Sequence, residues 1–244
     1  MLRGAIPKAL LERACARLSY LVIAPELAAR PVVNGGPVPI LEVFGRSLRL
    51  APWNEYAPAI PRVRALHAEL FEAADGLESL LSAAVARLGG GAPTPLLGAE
   101  GAAFAPALVT TLRAGAEIPF HFDNYCFHED TAFVRAGSLL SQRTLLNALL
   151  LIEAPEAGGG LELAAFDWDE YVQRTARRDS GAWSDTLVDD RARTRVDLAA
   201  GDLLIFDAGR IAHRVTPVEG RAPRRAYVWH MGTPRGSDAL RYFV

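Results

Sequence analysis

"GDLLIFDAGRIAHRVTPVEGRAPRRAYVW", residues 201–229, holds three short apolar runs separated by breaks rich in glycine, proline and aspartate. Runs of about four to eight residues bounded in this way read as strands. The spacing predicts strands over 201–209, 213–220 and 224–232, with His213 at the mouth of the second and Arg224 and Arg225 opening the third. Successive side chains of a strand face opposite sides. One of the two arginines therefore points into whatever the strands enclose, and the other points away. The inward set is either Arg224, Ala226, Val228 and His230 or Arg225, Tyr227 and Trp229. The first is preferred, because Ala226 leaves room beside the arginine for a ligand.

Upstream, "EIPFHFDN" (117–124) alternates in the same way. His121 and Asp123 share one face, and Phe120 and Phe122 share the other. A lone His-x-Asp arises often by chance. His213, 90 residues beyond Asp123, supplies a third donor. Two histidines and one carboxylate on one face of a metal leave its remaining positions open, and non-haem Fe(II) uses those positions for oxygen and a co-substrate. An arginine 11 or 12 residues past His213 adds a planar fork for a carboxylate.

The pattern carried by His121, Asp123, His213 and Arg224 or Arg225 resembles that of the Fe(II)/2-oxoglutarate-dependent oxygenases. The segments "PEAGGGLEL" (155–163), "GDLLIFDAGR" (201–210), "HRV" (213–215) and "APRR" (222–225) are most similar to the carrier-protein-independent halogenases of hapalindole-type alkaloid biosynthesis and their hydroxylase relatives. The likeness runs from about Phe44 to the C-terminus. It implies an α+β fold, a double-stranded β-helix (jelly roll, cupin-like) with flanking N-terminal helices and iron at one end of the barrel. It implies Fe(II) as cofactor, with 2-oxoglutarate and O2 as co-substrates. His121, Asp123 and His213 become the metal ligands and catalytic centre, and Arg224 or Arg225 the partner of the distal carboxylate of 2-oxoglutarate. One departure matters. Those halogenases have glycine where this chain has Asp123, and chloride takes the vacated place. The resemblance therefore implies hydroxylation of an unactivated C–H of a small natural-product or amino-acid-like substrate, with release of succinate and CO2.

Two other classes use the same donors. A Zn-dependent hydrolase or isomerase on a cupin-like barrel binds two histidines, a carboxylate and water, but it does not require the arginine. A non-catalytic ligand-binding barrel has no need to keep all three donors.

Further residues are open to two readings. Asn147 is the only amide in the apolar run 144–154, and it either binds a co-substrate oxygen or closes a local backbone gap. His230 shares the face of Arg224 and either lines the site or is a satisfied core histidine; His67 reads as a surface or half-buried helix residue. Cys126 and His128 would add donors to a ligand set that is already filled. Tyr125, Phe127 and Phe133, with Trp168 and Trp183 in a second long connection, either form a substrate lid or pack beneath long loops.

The bulk properties fit one oxygenase domain over residues 1–244, with 1–91 mostly helical (7–21, 59–76 and 77–91) and 92–244 forming the β-helix core. A net charge of −2 gives no basic footprint for nucleic acid, and the arginine clusters at 174–178 and 191–195 are interleaved with aspartate, as on a solvated surface. No charge-free stretch approaches membrane-spanning length, and the N-terminus lacks the apolar run of a signal peptide. The two cysteines, Cys15 and Cys126, make no disulfide framework, which fits the cytoplasm. The expected partner is a small-molecule or peptide substrate.

Overall fold

The computed structural model describes residues 1–20, 32–33, 36–37, 41–44, 52–70, 77–98, 101–124, 132–141, 145–175 and 188–243. Helix α1 (Lys8–Tyr20) is followed by an antiparallel pair, β1 (Val32–Val33) and β2 (Gly36–Pro37), and then by β3 (Leu41–Phe44). Next come α2 (Trp53–Leu70), α3 (Leu77–Val85), β4 (Thr94–Pro95), β5 (Leu108–Leu112), β6 (Ile118–His121) and α4 (Ala132–Leu139). The chain continues through β7 (Leu146–Glu153), β8 (Ala157–Gly158), β9 (Leu161–Asp167), α5 (Trp168–Thr175) and β10 (Arg193–Val196). It ends with β11 (Leu203–Asp207), β12 (Ile211–Val215), β13 (Val218–Glu219), β14 (Arg224–Gly232) and β15 (Arg241–Phe243).

Two sheets form the barrel. The larger runs β11-β7-β14 and continues with β5 and then β3 along one half of β14, and with β15 and then β4 along the other half. The smaller has the order β10-β9-β12-β6. The packing follows from strand alternation. Ala226, Val228, Leu149, Leu204 and Phe206 of the large sheet meet Leu161 and Val215 of the small one in a common core. The alternate residues Tyr227, Trp229, Met231, Leu150 and Ile152 face outwards, where Leu11, Ala14, Leu77 and Leu81 of α1 and α3 cover them. The architecture is the expected α+β double-stranded β-helix with flanking helices.

Phe120 and Phe122 point away from the barrel interior. They pack with Phe166, Tyr171 and Ala212 on the outer face of the small sheet, and Trp168 joins them. Trp168, the first residue of α5, thus packs against the small sheet. Helix α2 begins at Trp53, six residues before the expected start, and carries Pro58 and Pro61 within it. Each proline removes one helix hydrogen bond. Burial of Tyr56, Ile60 and Val63 against Phe104, Leu140 and Phe243 overrides that loss, and the Tyr56 hydroxyl accepts the Ala105 N–H at 2.7 Å. His67 lies on the same buried stripe, edge-on to Tyr227 at 5.6 Å, and is not a surface residue. Burial first, and the Arg64 charge second, pull its imidazole down to about 3. Among the described residues no helix is long and apolar enough to cross a membrane.

The turn between β7 and β9 requires glycine. A Cβ at Gly158 (φ +66°) would stand 2.0 Å from the Pro217 carbonyl oxygen. One at Gly159 (φ +59°) would lie 2.8 Å from Pro155 Cγ and 3.1 Å from Arg224 Cδ. This close approach lets the turn close over the inner end of Arg224.

Candidate metal centre

His121 ends β6 and His213 lies within β12, where the two are direct partners across the strand pair. Their ring centroids are 4.2 Å apart at 51°. Asp123 follows two residues after His121, and its N–H donates to the Ala208 carbonyl at 2.9 Å, tying it to the end of β11. His121 Nδ1 lies 2.8 Å from the Pro119 carbonyl oxygen, and His213 Nδ1 lies 2.9 Å from that of Ile211. A carbonyl oxygen only accepts, so each Nδ1 carries the proton and each Nε2 offers its lone pair. His121 Nε2 is 3.6 Å from Asp123 Oδ1. One ligand atom from each of His121, Asp123 and His213 lies within 4.8 Å of the others. Backbone anchoring of this kind fixes tautomer and ring orientation in metal-binding histidines. Two neutral imidazoles and one carboxylate fit Fe(II). Asp123 and His213 are buried, whereas the His121 side chain is 34% exposed, so the centre opens on that side.

Behind the centre, Asn147 Nδ2 donates to Asp123 Oδ2 at 2.5 Å, and Asn147 Oδ1 lies 2.7 Å from His230 Nδ1. Asn147 and His230 are neighbours in register across β7 and β14. The amide is therefore engaged by the Asp123 carboxylate and the His230 imidazole. His230 is the satisfied core histidine expected, but through Asn147 it also belongs to the site. Its position on the face of Arg224 was the available signal.

The two arginines part as the alternation requires. Arg225 lies on the outer face, with its Nη1 at 2.5 Å from Glu153 Oε2 and its Nη2 at 3.2 Å from Ser19 Oγ. Arg224 lies on the inner face and is buried. Its Nε donates to the Gly159 carbonyl at 2.9 Å, and no carboxylate among the described residues lies within ion-pair distance. Burial lowers its guanidinium to about 10, so it stays charged at neutral pH. It lines a cavity of about 210 Å³ with Leu151, Gly159, Leu161 and Arg195. Leu161 pairs with Val215, two residues along from His213 on the same face. The Leu161 wall of the cavity thus lies about 7 Å along the strand from the level of His213. Tyr125, Cys126, Phe127, His128, Trp183 and the Phe133 side chain lie outside the described residues.

With this geometry in place, the comparisons with known proteins are specific. The family model described as carrier-protein-independent halogenase WelO5 matches residues 3–240. The chain belongs to this family. The carrier-protein-independent halogenases are Fe(II)/2-oxoglutarate-dependent oxygenases, so the iron and 2-oxoglutarate expected from the sequence are the family's own cofactor and co-substrate, and the donor set above suits them. No curated protein matches the sequence. Among solved structures, an N-substituted L-amino acid dioxygenase from Burkholderia ambifaria AMMD superposes with a TM-score of 0.55 at 13% identity, covering 98% of this chain and 83% of its own. The epimerase SnoN of nogalamycin biosynthesis, in complex with Fe3+, alpha ketoglutarate and nogalamycin RO, gives 0.50 at 18% identity, covering 96% and 81%. At such identities the likeness establishes the shared fold.

Proposed function

We propose that this oxygenase is a hydroxylase of unactivated C–H bonds in a small natural-product or amino-acid-like substrate. The observation that carries the reading is the Asp123 carboxylate, whose Oδ1 faces His121 Nε2 at 3.6 Å within the three-donor group. In the glycine-bearing halogenases that the chain resembles, this is the place left to chloride. When bound, Fe(II) with 2-oxoglutarate and O2 supplies the oxidising power, releasing succinate and CO2.

The chain's own residues do the rest. His121 and His213, held at Nδ1 by backbone carbonyls, present Nε2 to the metal without rotamer search. Arg224, with no carboxylate within ion-pair distance among the described residues, offers its buried charge to the distal carboxylate of 2-oxoglutarate, where a buried anion needs such a partner. Leu149, Leu204, Phe206 and Val228 exclude water from the space between. Arg225, already paired with Glu153 on the outer face, is not assigned to the co-substrate. A Zn hydrolase would have no use for a buried arginine in this position, and a simple binding barrel would have no use for two histidines aligned by backbone carbonyls.

The test needs no substrate. Fe(II) and 2-oxoglutarate added under nitrogen should produce a weak visible charge-transfer band in the wild-type protein, and chloride should leave that band unchanged. In Asp123→Gly, chloride should shift it. A wild-type band that responds to chloride as the glycine variant does would remove the hydroxylase reading in favour of halogenation.

A further inference from the structure

An ionised carboxylate has only acceptors. The amide atom of Asn147 on Asp123 Oδ2 is therefore Nδ2, at 2.5 Å. Asn147 Oδ1 is then turned to His230 Nδ1, at 2.7 Å, and an oxygen that only accepts requires the proton on that nitrogen. The chain of bonds has one consistent direction. His230 Nδ1–H donates to Asn147 Oδ1, and Asn147 Nδ2–H donates to Asp123 Oδ2. All three residues are buried, and the β7–β14 ladder holds Asn147 and His230 opposite each other. Oδ1 of Asp123 is left facing His121 Nε2.

We propose that Asn147, oriented by His230, is a positioning residue that occupies Asp123 Oδ2 and thereby holds the carboxylate as a one-oxygen ligand through Oδ1. Carboxylates bind metals through one oxygen or two. A two-oxygen Asp123 would take one of the positions that the co-substrate and oxygen need. The amide prevents this by keeping Oδ2 in its hydrogen bond with Asn147 Nδ2. His230 does not touch the carboxylate within hydrogen-bond range, since its Nδ1 is 3.6 Å from Oδ2. Its part is to fix which end of the amide faces Asp123. The inference rests on the metal reading of His121, Asp123 and His213.

The experiment uses the full chain loaded with Co(II), a spectroscopic stand-in for Fe(II), and reads calorimetric affinity and the visible absorption of the bound ion. Asn147→Leu should weaken Co(II) binding by about 10- to 100-fold, the usual scale for a lost outer partner of a metal ligand, and should change the absorption. His230→Phe should move both quantities in the same direction by less. His230→Gln, whose amide can donate to Asn147 Oδ1, should restore values near wild type, an outcome that a purely space-filling role would not produce. Wild-type affinity and absorption in Asn147→Leu would overturn the proposal. If that variant does not fold, the His230 pair decides, because equal behaviour of the Phe and Gln variants overturns it as well. Co(II) binding that survives His213→Ala would instead refute the underlying metal reading.

Discussion

Arg224→Ala tests the co-substrate assignment most directly. Burial lowers the guanidinium to about 10, which corresponds to roughly 3 kcal/mol against its charged form at ~1.4 kcal/mol per pH unit. An anion seated against it recovers energy of that order. Removing one partner of a buried charge pair costs about 3–5 kcal/mol, so the affinity for 2-oxoglutarate should fall by about two to nearly four orders of magnitude. Arg225→Ala removes a guanidinium already matched by Glu153 on the outer face and should change that affinity less than about threefold. The assay is calorimetric titration of 2-oxoglutarate into each Ni(II)-loaded variant, with thermal melting as a control for folding. Arg224→Lys should fall between, because it keeps the charge and loses the fork. The reverse ranking of the two alanine variants would transfer the role to Arg225. Small and equal effects would remove the arginine from the co-substrate site.

Gly159→Ala places a methyl group against Pro155 and Arg224 Cδ at a positive φ. It should lower stability by about 1–3 kcal/mol and weaken 2-oxoglutarate binding while leaving Co(II) affinity intact, both read by titration. Because burial holds the His67 imidazole near 3, the unfolded chain takes up a proton below its ordinary 6.5 and the folded chain does not. Stability should therefore fall as pH drops from about 6.5 towards 3. In His67→Phe, the loss between pH 7 and pH 5 should be smaller by about 2 kcal/mol in urea unfolding. Burial alone would raise the Asp202 carboxyl, but the Ala199 and Gly4 N–H groups and the Arg3 guanidinium outweigh it and hold the carboxyl below its usual range. Its contribution is present above the unfolded value of about 3.9 and is lost as pH falls through the folded one. Asp202→Ala should cost about 1–3 kcal/mol at neutral pH, chiefly by orphaning two backbone donors, and should release residues 1–6 to faster amide exchange.

What could be read in advance was whatever depends on local period. The alternation in "FHFD" separates Phe120 and Phe122 from His121 and Asp123, and they occupy opposite faces of the small sheet. The same parity assigns Arg224, Ala226 and Val228 to the interior. Strand β10 escaped notice because Arg193, Thr194 and Arg195 are exposed and carry no apolar alternation. The pairing of β1 with β2 was signalled by Asn34-Gly35, a two-residue hairpin turn type, but the segment read only as a break. The start of α2 was hidden by its prolines, whose cost is met by tertiary burial. His67 shares the stripe of Ile60 and Val63, so its burial was legible from helical spacing. The Asn147–His230 contact was not legible. It joins residues 83 apart through strand order and register, and neither is written in any local window.

Strand β14 carries Arg224 and His230 at opposite ends of one face, the first lining the cavity beside Gly159 and the second bonded to Asn147. A slip of a single residue along either neighbour would turn that whole face outwards, drawing both groups out together and driving Tyr227 and Trp229 into the space that Ala226 and Val228 fill. The bulk of those two rings makes the slipped sheet a poor competitor, so the helix-covered side of the strand proofreads the chemical side. A misaligned molecule would not retain metal binding while losing only the co-substrate. It would lose both, and the two functions should appear in a single step as the chain refolds.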